Sequence, residues 1–227
     1  ELNDVIFAEN RFYAVGQVAG RATIFYSNDG VNWTSAVQNQ IIGGNALSIA
    51  YSETLRSFVA VGERTPSGGS TRALVLTSRF GTSNWQDFTD EAQLGIILRG
   101  LDGSVQPLVG VGRTGGPGGL ALSSDGESWA NLTAQVQAPG DLDAVAYGDG
   151  TWVAVGGNGV TGVVLVSGGG ASGNPDPVNP FPKELVFNAD GSVAGFSSSV
   201  SLQGEGDFTW TADPKEDWIA VDPPNGL

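Results

Sequence analysis

Twenty-four carboxylates, four tyrosines and a scatter of arginines are the side chains with which this chain could do chemistry; histidine and cysteine are absent. Without histidine there is no side chain whose unperturbed pKa lies near neutrality. Without cysteine there are no disulfides, thiolate nucleophiles or thiolate metal sites. No serine stands in a nucleophile-elbow setting, so acyl transfer is a poor fit. What remains is the work that carboxylates do in pairs, protonating a glycosidic oxygen while a second group attacks or activates water. Asp or Glu residues drawn from different repeats could supply such a pair, and the spacing singles out none. Tyr13, Tyr26, Tyr51 and Tyr147 fall inside apolar alternations, which predicts core packing or cross-strand pairing. The glycine-rich Gly115-Gly116-Pro117-Gly118-Gly119 lacks the following Lys and helix of a phosphate loop and reads as a hairpin loop. The sequence therefore predicts no catalytic residues, no cofactor and no metal site.

Composition narrows the partners. The formal charge of −14 repels phosphate backbones and anionic lipid surfaces, so nucleic acid is excluded. Solubility is the plain reading of that acidity, and weak cation binding or salty surroundings the sharper one. No apolar run is long enough to insert in a membrane as a helix. Asn32 and Asn131 open Asn-x-Thr sequons, a weak pattern. The first residue is not Met and strand-like sequence starts at once, so a processed or trimmed segment of a longer protein is expected. The 35 glycines and 11 prolines, among Val, Ile, Leu and aromatics, imply many short strands joined by tight turns. The fold class is all-β.

One phrase is written four times: Phe12-Tyr13-Ala14-Val15-Gly16, Phe58-Val59-Ala60-Val61-Gly62, Pro107-Leu108-Val109-Gly110-Val111-Gly112 and Trp152-Val153-Ala154-Val155-Gly156. Its terminal glycines recur at intervals of 46, 50 and 44 residues, the length of a four-stranded sheet with short loops. A strand and turn precede each phrase, as in Ala144-Val145-Ala146-Tyr147 before Gly148-Asp149-Gly150, and a third strand follows it. In the first and third repeats that strand runs into Ser27-Asn28-Asp29-Gly30-Val31-Asn32-Trp33 and Ser123-Ser124-Asp125-Gly126-Glu127-Ser128-Trp129, with the Trp 17 residues after the Val-Gly glycine in both.

These residues resemble the Asp-box, or BNR-like, repeats of sialidases, sortilin-type receptors, xyloglucanases and photosystem assembly factors, which are β-propellers. The likeness covers about residues 4–168, with one residue fewer between Asp and Trp than the usual motif. In the second repeat Ser78 to Trp85 has the longer spacing and Phe80 stands in place of Asp; the fourth keeps only Ser167. The resemblance implies four-stranded propeller blades in which Ser27, Asp29, Gly30, Trp33, Ser123, Asp125, Gly126 and Trp129 are structural: the carboxylate accepts backbone N–H groups, Gly supplies a positive φ, and Trp covers the blade's edge. A sialidase would also need an arginine cluster, a tyrosine nucleophile paired with a glutamate and an acidic proton donor. None of Arg11, Arg21, Arg56, Arg64, Arg72, Arg79, Arg99 or Arg113 sits in the Arg-Ile-Pro setting of that family.

Residues 169–182, rich in Gly, Pro and Asn, read as a linker. Beyond it, Leu185-Val186-Phe187, Ser199-Val200-Ser201-Leu202, Phe208-Thr209-Trp210 and Asp217-Trp218-Ile219-Ala220-Val221 read as strands. Their order resembles part of a BACON domain, an Ig-like β-sandwich of secreted Bacteroidetes proteins and their phages, over residues 183–227.

The resulting expectation is a non-catalytic module at the cell surface or on a virion, extracellular, displaying loops on a propeller scaffold toward a glycan or a surface protein. Glu63, Arg64 and Arg72, around the long second-repeat loop, are the expected ligand-binding residues. Two other readings are a structural assembly component of a phage virion or surface layer, and a fragment of a glycoside hydrolase. Most Asp-box propellers close with more than four blades. Four repeats must therefore form a small ring, continue in further blades, or be completed by another chain.

Overall fold

Each Val-Gly phrase lies on the second strand of an antiparallel sheet whose strands follow one another in chain order. In the computed structural model residues 1–37, 40, 42–90, 92, 94–136 and 138–167 are described in full, together with the backbone of residue 91 and of the strands 183–188, 198–202, 210–211 and 225–226. The first sheet is β1 (Leu2–Ala8), β2 (Arg11–Val18), β3 (Arg21–Ser27) and β4 (Thr34–Ser35), and the second β5 (Asn45–Ser52), β6 (Ser57–Arg64), β7 (Arg72–Ser78) and β8 (Gln86–Asp87). After the one-turn helix α1 (Thr89–Ala92) comes the third, β9 (Ile97–Asp102), β10 (Leu108–Arg113), β11 (Gly118–Ser123) and β12 (Ala130–Asn131). A second single turn, α2 (Thr133–Val136), leads to β13 (Asp141–Gly148), β14 (Thr151–Gly157) and β15 (Thr161–Val166). The fourth sheet continues through β16 (Lys183–Asn188) and β17 (Ser198–Leu202), while β18 (Trp210–Thr211) pairs with β19 (Asn225–Gly226). The architecture is all-β, built from propeller-type blades.

The register explains why the phrase ends in glycine. In every blade the first strand carries one extra residue opposite the phrase: Asn3, Leu47, Arg99 and Asp143 are passed over where the pairing shifts. The bulge drives a first-strand carbonyl against the second strand. A Cβ on Gly16, Gly62, Gly112 or Gly156 would collide with the carbonyl oxygen of Glu1, Asn45, Ile97 or Asp141 respectively. The requirement is steric, since none of the four glycines has a positive φ. Position by position, then, Gly16, Gly62, Gly112 and Gly156 are equivalent, and the four sheets can be superposed in words from these anchors.

Successive first strands are neighbours: β1 packs on β5, β5 on β9 and β9 on β13. Three apolar seams result. The first joins Tyr13, Val15 and Ile24 to Ile49, Phe58, Leu76 and Trp85; the second joins Val59, Val61 and Val75 to Leu98, Leu101 and Ala121; the third joins Val109 and Val111 to Leu142, Trp152 and Ala154. Polar groups pin the same seams. Asp4 Oδ2 accepts from Ser48 Oγ (2.8 Å) and the Ile49 N–H (2.9 Å), and Asp102 Oδ2 accepts from the Tyr147 N–H (3.0 Å). Among the described residues no comparable packing returns from β13 to β1. The strand at Leu185–Phe187 lies on β15, with Val164 opposite Leu185. The proposed linker, and most of the stretch compared with a BACON domain, lie outside the described residues. No helix among the described residues is long and apolar enough to cross a membrane.

Candidate functional site

The two Ser-x-Asp-Gly turns are built alike. Ser27 Oγ donates to Asp29 Oδ1 (3.0 Å) and accepts from the Gly30 N–H (2.9 Å); Asp29 Oδ1 accepts from the N–H groups of Val31 (2.9 Å) and Asn32 (2.7 Å). Ser123 Oγ donates to Asp125 Oδ1 (3.1 Å) and accepts from Gly126 N–H (2.8 Å), and Asp125 Oδ1 accepts from Glu127 and Ser128 N–H, both at 2.8 Å. Gly30 and Gly126 have φ of 74° and 81°, a conformation that favours glycine. Trp33 and Trp129 donate their indole N–H to the carbonyls of Gly30 and Gly126. Asn32 backbone and side-chain N–H groups, then Val31 and Ser27, hold the Asp29 carboxyl well below the usual range. At Asp125 burial pushes the pKa up, but the Ser128 and Glu127 amides and Ser123 outweigh it and the net direction is down. In the second blade, where Phe80 replaces Asp, Ser78 Oγ donates instead to the Ser83 carbonyl (2.6 Å) while still accepting from Gly81 N–H (3.0 Å).

Glu63, Arg64 and Arg72 sit at the opposite end of the blades, and each is engaged in an ion pair. Glu63 meets Arg113 at 2.8 Å, tying the second blade to the third; Arg64 meets Asp87; Arg72 meets Asp90 at 2.6 Å. Arg64 Nε also donates to the Gly43 carbonyl (2.9 Å). Burial raises the Asp87 pKa, but Thr89 and Arg64 outweigh it and leave the carboxyl below its usual range. Arg99 is likewise paired, with Asp141 (3.3 Å) and Asp143 (3.0 Å).

The first hairpin turns create a different environment at the seam between the first two blades. There a cleft of about 550 Å³ is lined by Glu9, Arg11, Tyr13, Tyr51, Glu53, Arg56, Phe58, Arg79 and Phe80. Glu9 occupies the β1–β2 turn with Asn10, at φ of 49° and 58°, the two-positive-φ turn that suits the twist of a hairpin. Glu53 and Arg56 span the β5–β6 turn, and Arg79 and Phe80 open the β7–β8 turn. Tyr13, Tyr51 and Phe58 form the floor, with ring centroids 4.4 Å (Tyr13–Phe58) and 4.7 Å (Tyr51–Phe58) apart.

Three features set the cleft apart. First, Arg11, Arg56 and Arg79 form no salt bridge among the described residues, in contrast to Arg64, Arg72, Arg99 and Arg113. Three guanidiniums against two carboxylates make it a locally cationic spot on a strongly anionic chain. Second, burial, then a hydrogen bond to the Glu9 carboxylate and the charges of Glu9 and Glu53, push the Tyr51 phenol up to about 12; it is a hydrogen-bond donor at neutral pH. Third, the Tyr13 hydroxyl is buried with no hydrogen-bond partner. Burial raises its pKa and the nearby Arg11, whose Nε donates to Asn28 Oδ1 at 2.8 Å, opposes that rise.

The sequence reading assigned Tyr13 and Tyr51 to packing and left the carboxylates unpaired. It missed Glu9, Arg11, Glu53, Arg56 and Arg79 as a group. One signal was present: the first hairpin of repeats one and two carries Glu-x-Arg and Glu-x-x-Arg, Glu9 to Arg11 and Glu53 to Arg56, and adjacent blades bring equivalent turns together.

No protein-family model and no curated protein matches the sequence. Solved structures do share its arrangement of sheets. A thermostable family-43 glycoside hydrolase aligns with a TM-score of 0.49 at 11% identity over 97% of this chain and 96% of its own. A GH43 β-1,3-galactosidase solved with galactodeoxynojirimycin gives 0.41 at 13% identity over 86% of this chain and 74% of its own, and an endo-arabinase from Bacteroides thetaiotaomicron 0.45 at 9% over 92% and 84%. These likenesses concern the fold alone. The solved structures that share the arrangement are glycoside hydrolases, at odds with the expectation of a non-enzyme; the absence of His and Cys, one ground of that expectation, bears little on chemistry carried by carboxylates.

Proposed function

We propose that this chain is a glycan-directed propeller of the glycoside-hydrolase kind, acting outside the cell, with the cleft between its first two blades as the site. The observation that carries the reading is the meeting of two carboxylates, Glu9 and Glu53, with three arginines that form no salt bridge among the described residues and the aromatic residues Tyr51 and Phe80 in one open cleft. Two carboxylates are the minimal apparatus for cleaving a glycosidic bond. Tyr51, beside Glu9 in the same cleft, is placed to orient that carboxylate. The arginine forks suit a sugar bearing a carboxylate or sulfate, since guanidinium groups pair with planar oxyanions in bidentate fashion. The Ser-x-Asp-Gly turns, read as Asp boxes, keep the scaffold rigid at the same end of the blades.

A panel of neutral and uronic-acid polysaccharides tests the proposal. Reducing ends are expected to be released from an acidic polymer, with activity falling by about two to four orders of magnitude in Glu9→Gln or Glu53→Gln, the range removed with a general acid or base. Arg56→Gln with Arg79→Gln is expected to raise KM more than it lowers kcat. Hydrolysis that survives both glutamate substitutions would place the chemistry elsewhere, and no turnover on any member of the panel would end the reading.

A further inference from the structure

Three blades carry the serine-headed turn in the same register, Ser27 paired with Phe12, Ser78 with Phe58 and Ser123 with Leu108, so the turns can be compared position by position. In each, the serine Oγ accepts from the N–H of a glycine with positive φ, Gly30, Gly81 or Gly126, and the turn tryptophan donates to that glycine's carbonyl. The second blade departs at the residue before the glycine. The first and third have Asp29 and Asp125, whose carboxylates each accept two backbone N–H groups. The second has Phe80, which forgoes those bonds, is 61% exposed and stacks on no ring among the described residues. An exposed phenyl ring in place of a turn-closing carboxylate costs the fold, and such local violations concentrate at functional sites. Phe80 lines the cleft of Glu9 and Glu53, as does its chain neighbour Arg79. A second departure lines the same cleft: Tyr13 stands where the other three phrases have Val59, Val109 and Val153, and its buried hydroxyl makes no hydrogen bond, again a cost to the fold.

We infer that Phe80 is the platform for one pyranose ring of an acidic glycan, the ring's C–H face lying on the phenyl face while the acidic substituent on its rim pairs with the Arg79 guanidinium. This role rests on the reading of the cleft as a glycan site and names the residue that selects the ring; it does not require that the cleft be hydrolytic. A pyranose is apolar on the face where its axial hydrogens stand and polar around its edge. The negative face of an aromatic ring attracts those polarised C–H groups, and a guanidinium fork suits a carboxylate or sulfate on the edge. Arg79, which forms no salt bridge among the described residues, is available for that pairing.

Binding is measured apart from turnover, by calorimetry on the full chain carrying Glu53→Gln, with tetrasaccharides of galacturonate, mannuronate and 4-sulfated galactose and with neutral galactotetraose. Phe80→Asn removes the ring without adding charge and gives the turn a side-chain oxygen able to accept the N–H bonds that Asp29 and Asp125 accept; Phe80→Tyr keeps the ring. For at least one acidic tetrasaccharide, Phe80→Asn is expected to raise Kd about tenfold, the scale of uncovering one aromatic face, and Phe80→Tyr to stay within about twofold. The thermal midpoint of Phe80→Asn is expected to equal or exceed that of its parent. Arg79→Gln should weaken the acidic tetrasaccharide toward the affinity of the neutral one. Phe80-dependent binding in a chain that hydrolyses none of the panel would remove the hydrolase reading and leave this role standing. Hydrolysis that Glu9→Gln abolishes and Phe80→Asn leaves unchanged would do the reverse. A lowered midpoint in Phe80→Asn, which would show the ring packed by the chain itself, or no binding of any acidic tetrasaccharide at millimolar concentration, would also overturn the inference.

Discussion

The first and second blades carry nearly the same residues in the same register and differ in what stands in front of them. Tyr13-Ala14-Val15-Gly16 and Val59-Ala60-Val61-Gly62 occupy equivalent positions on their second strands. The second blade has a neighbour on each side, so Phe58, Ile49 and Trp85 are buried, and Gly81 lies against the rings of Phe58 and Tyr13. Among the described residues the first blade packs on the second alone, and a Cβ on Gly30, at the same turn, would meet only Phe12 of its own sheet. A blade's sequence therefore specifies its hydrogen bonds, and its neighbour decides what those residues contribute to stability. Residues that look alike in the repeat should respond very differently to substitution.

The largest contrast lies in the turn tryptophans. Trp85→Ala removes a fully packed indole from the first seam together with its hydrogen bond to the Gly81 carbonyl at 2.9 Å. A loss of about 3–5 kcal/mol is expected, the range for a large aromatic removed from a core. Trp33→Ala, measured by denaturant unfolding at a concentration where the chain is monomeric, should cost less than about 1 kcal/mol, in line with surface positions. Equal losses at the two sites would mean that the first blade's outer face is covered within a single chain.

A smaller effect separates glycines that serve sterics from glycines that merely punctuate. Gly112→Ala forces a methyl group into the Ile97 carbonyl and is expected to destabilise by about 1–3 kcal/mol as overpacking. Gly116→Ala, in the β10–β11 loop, has only Thr114 Oγ1 at 3.9 Å in its way, and it should be neutral or slightly stabilising, because alanine restricts the unfolded chain. Thermal midpoints of the two variants decide the matter; similar midpoints would refute the bulge as the reason for the Val-Gly phrase.

That phrase shows what was legible in the sequence. The 44–50-residue interval and the matching Ser-x-Asp-Gly-x-x-Trp turns give the spacing of the repeats and the strand order within each because they report local hydrogen bonding, which each repeat settles for itself. The cleft was harder to see. Glu9, Arg11, Glu53, Arg56 and Arg79 belong to three turns of two sheets, and nothing in a linear spacing states that two turns meet across a seam. Tyr51 was read as packing because it is packing: its ring leans on Phe58 while its hydroxyl faces Glu9. The long loop after Arg64 drew attention as an exposed charged loop, and the structure spends its flanking charges on ion pairs with Asp87, Asp90 and Arg113. Fold-level periodicity is visible one repeat at a time; a site built between repeats is not.

The smallest expected effect sharpens the same comparison through pH. Asp29 and Asp125 both have folded pKa values below the ordinary 3.8. Above about pH 4 both folded and unfolded chains are ionised at these positions, and the stabilisation from the turn hydrogen bonds is fully present. As pH falls, the unfolded chain takes up its proton first, so stability declines through the window from 3.8 down to the folded value. The two turns should differ within that window. At Asp125, whose neighbour Gly126 lies against Val59 of the second blade, burial is the largest influence and opposes the depression; at Asp29 burial is the least of the influences and the amides of Asn32 and Val31 act almost unopposed. Asp29 should therefore retain its charge to lower pH. Following the thermal midpoint of wild type, Asp29→Asn and Asp125→Asn from neutral pH to acid checks this. Both substitutions should flatten the acid limb just below about pH 4, and Asp29→Asn should go on flattening it further into acid, where Asp125→Asn no longer does. The reverse order would mean that the first blade's turn is the more buried of the two.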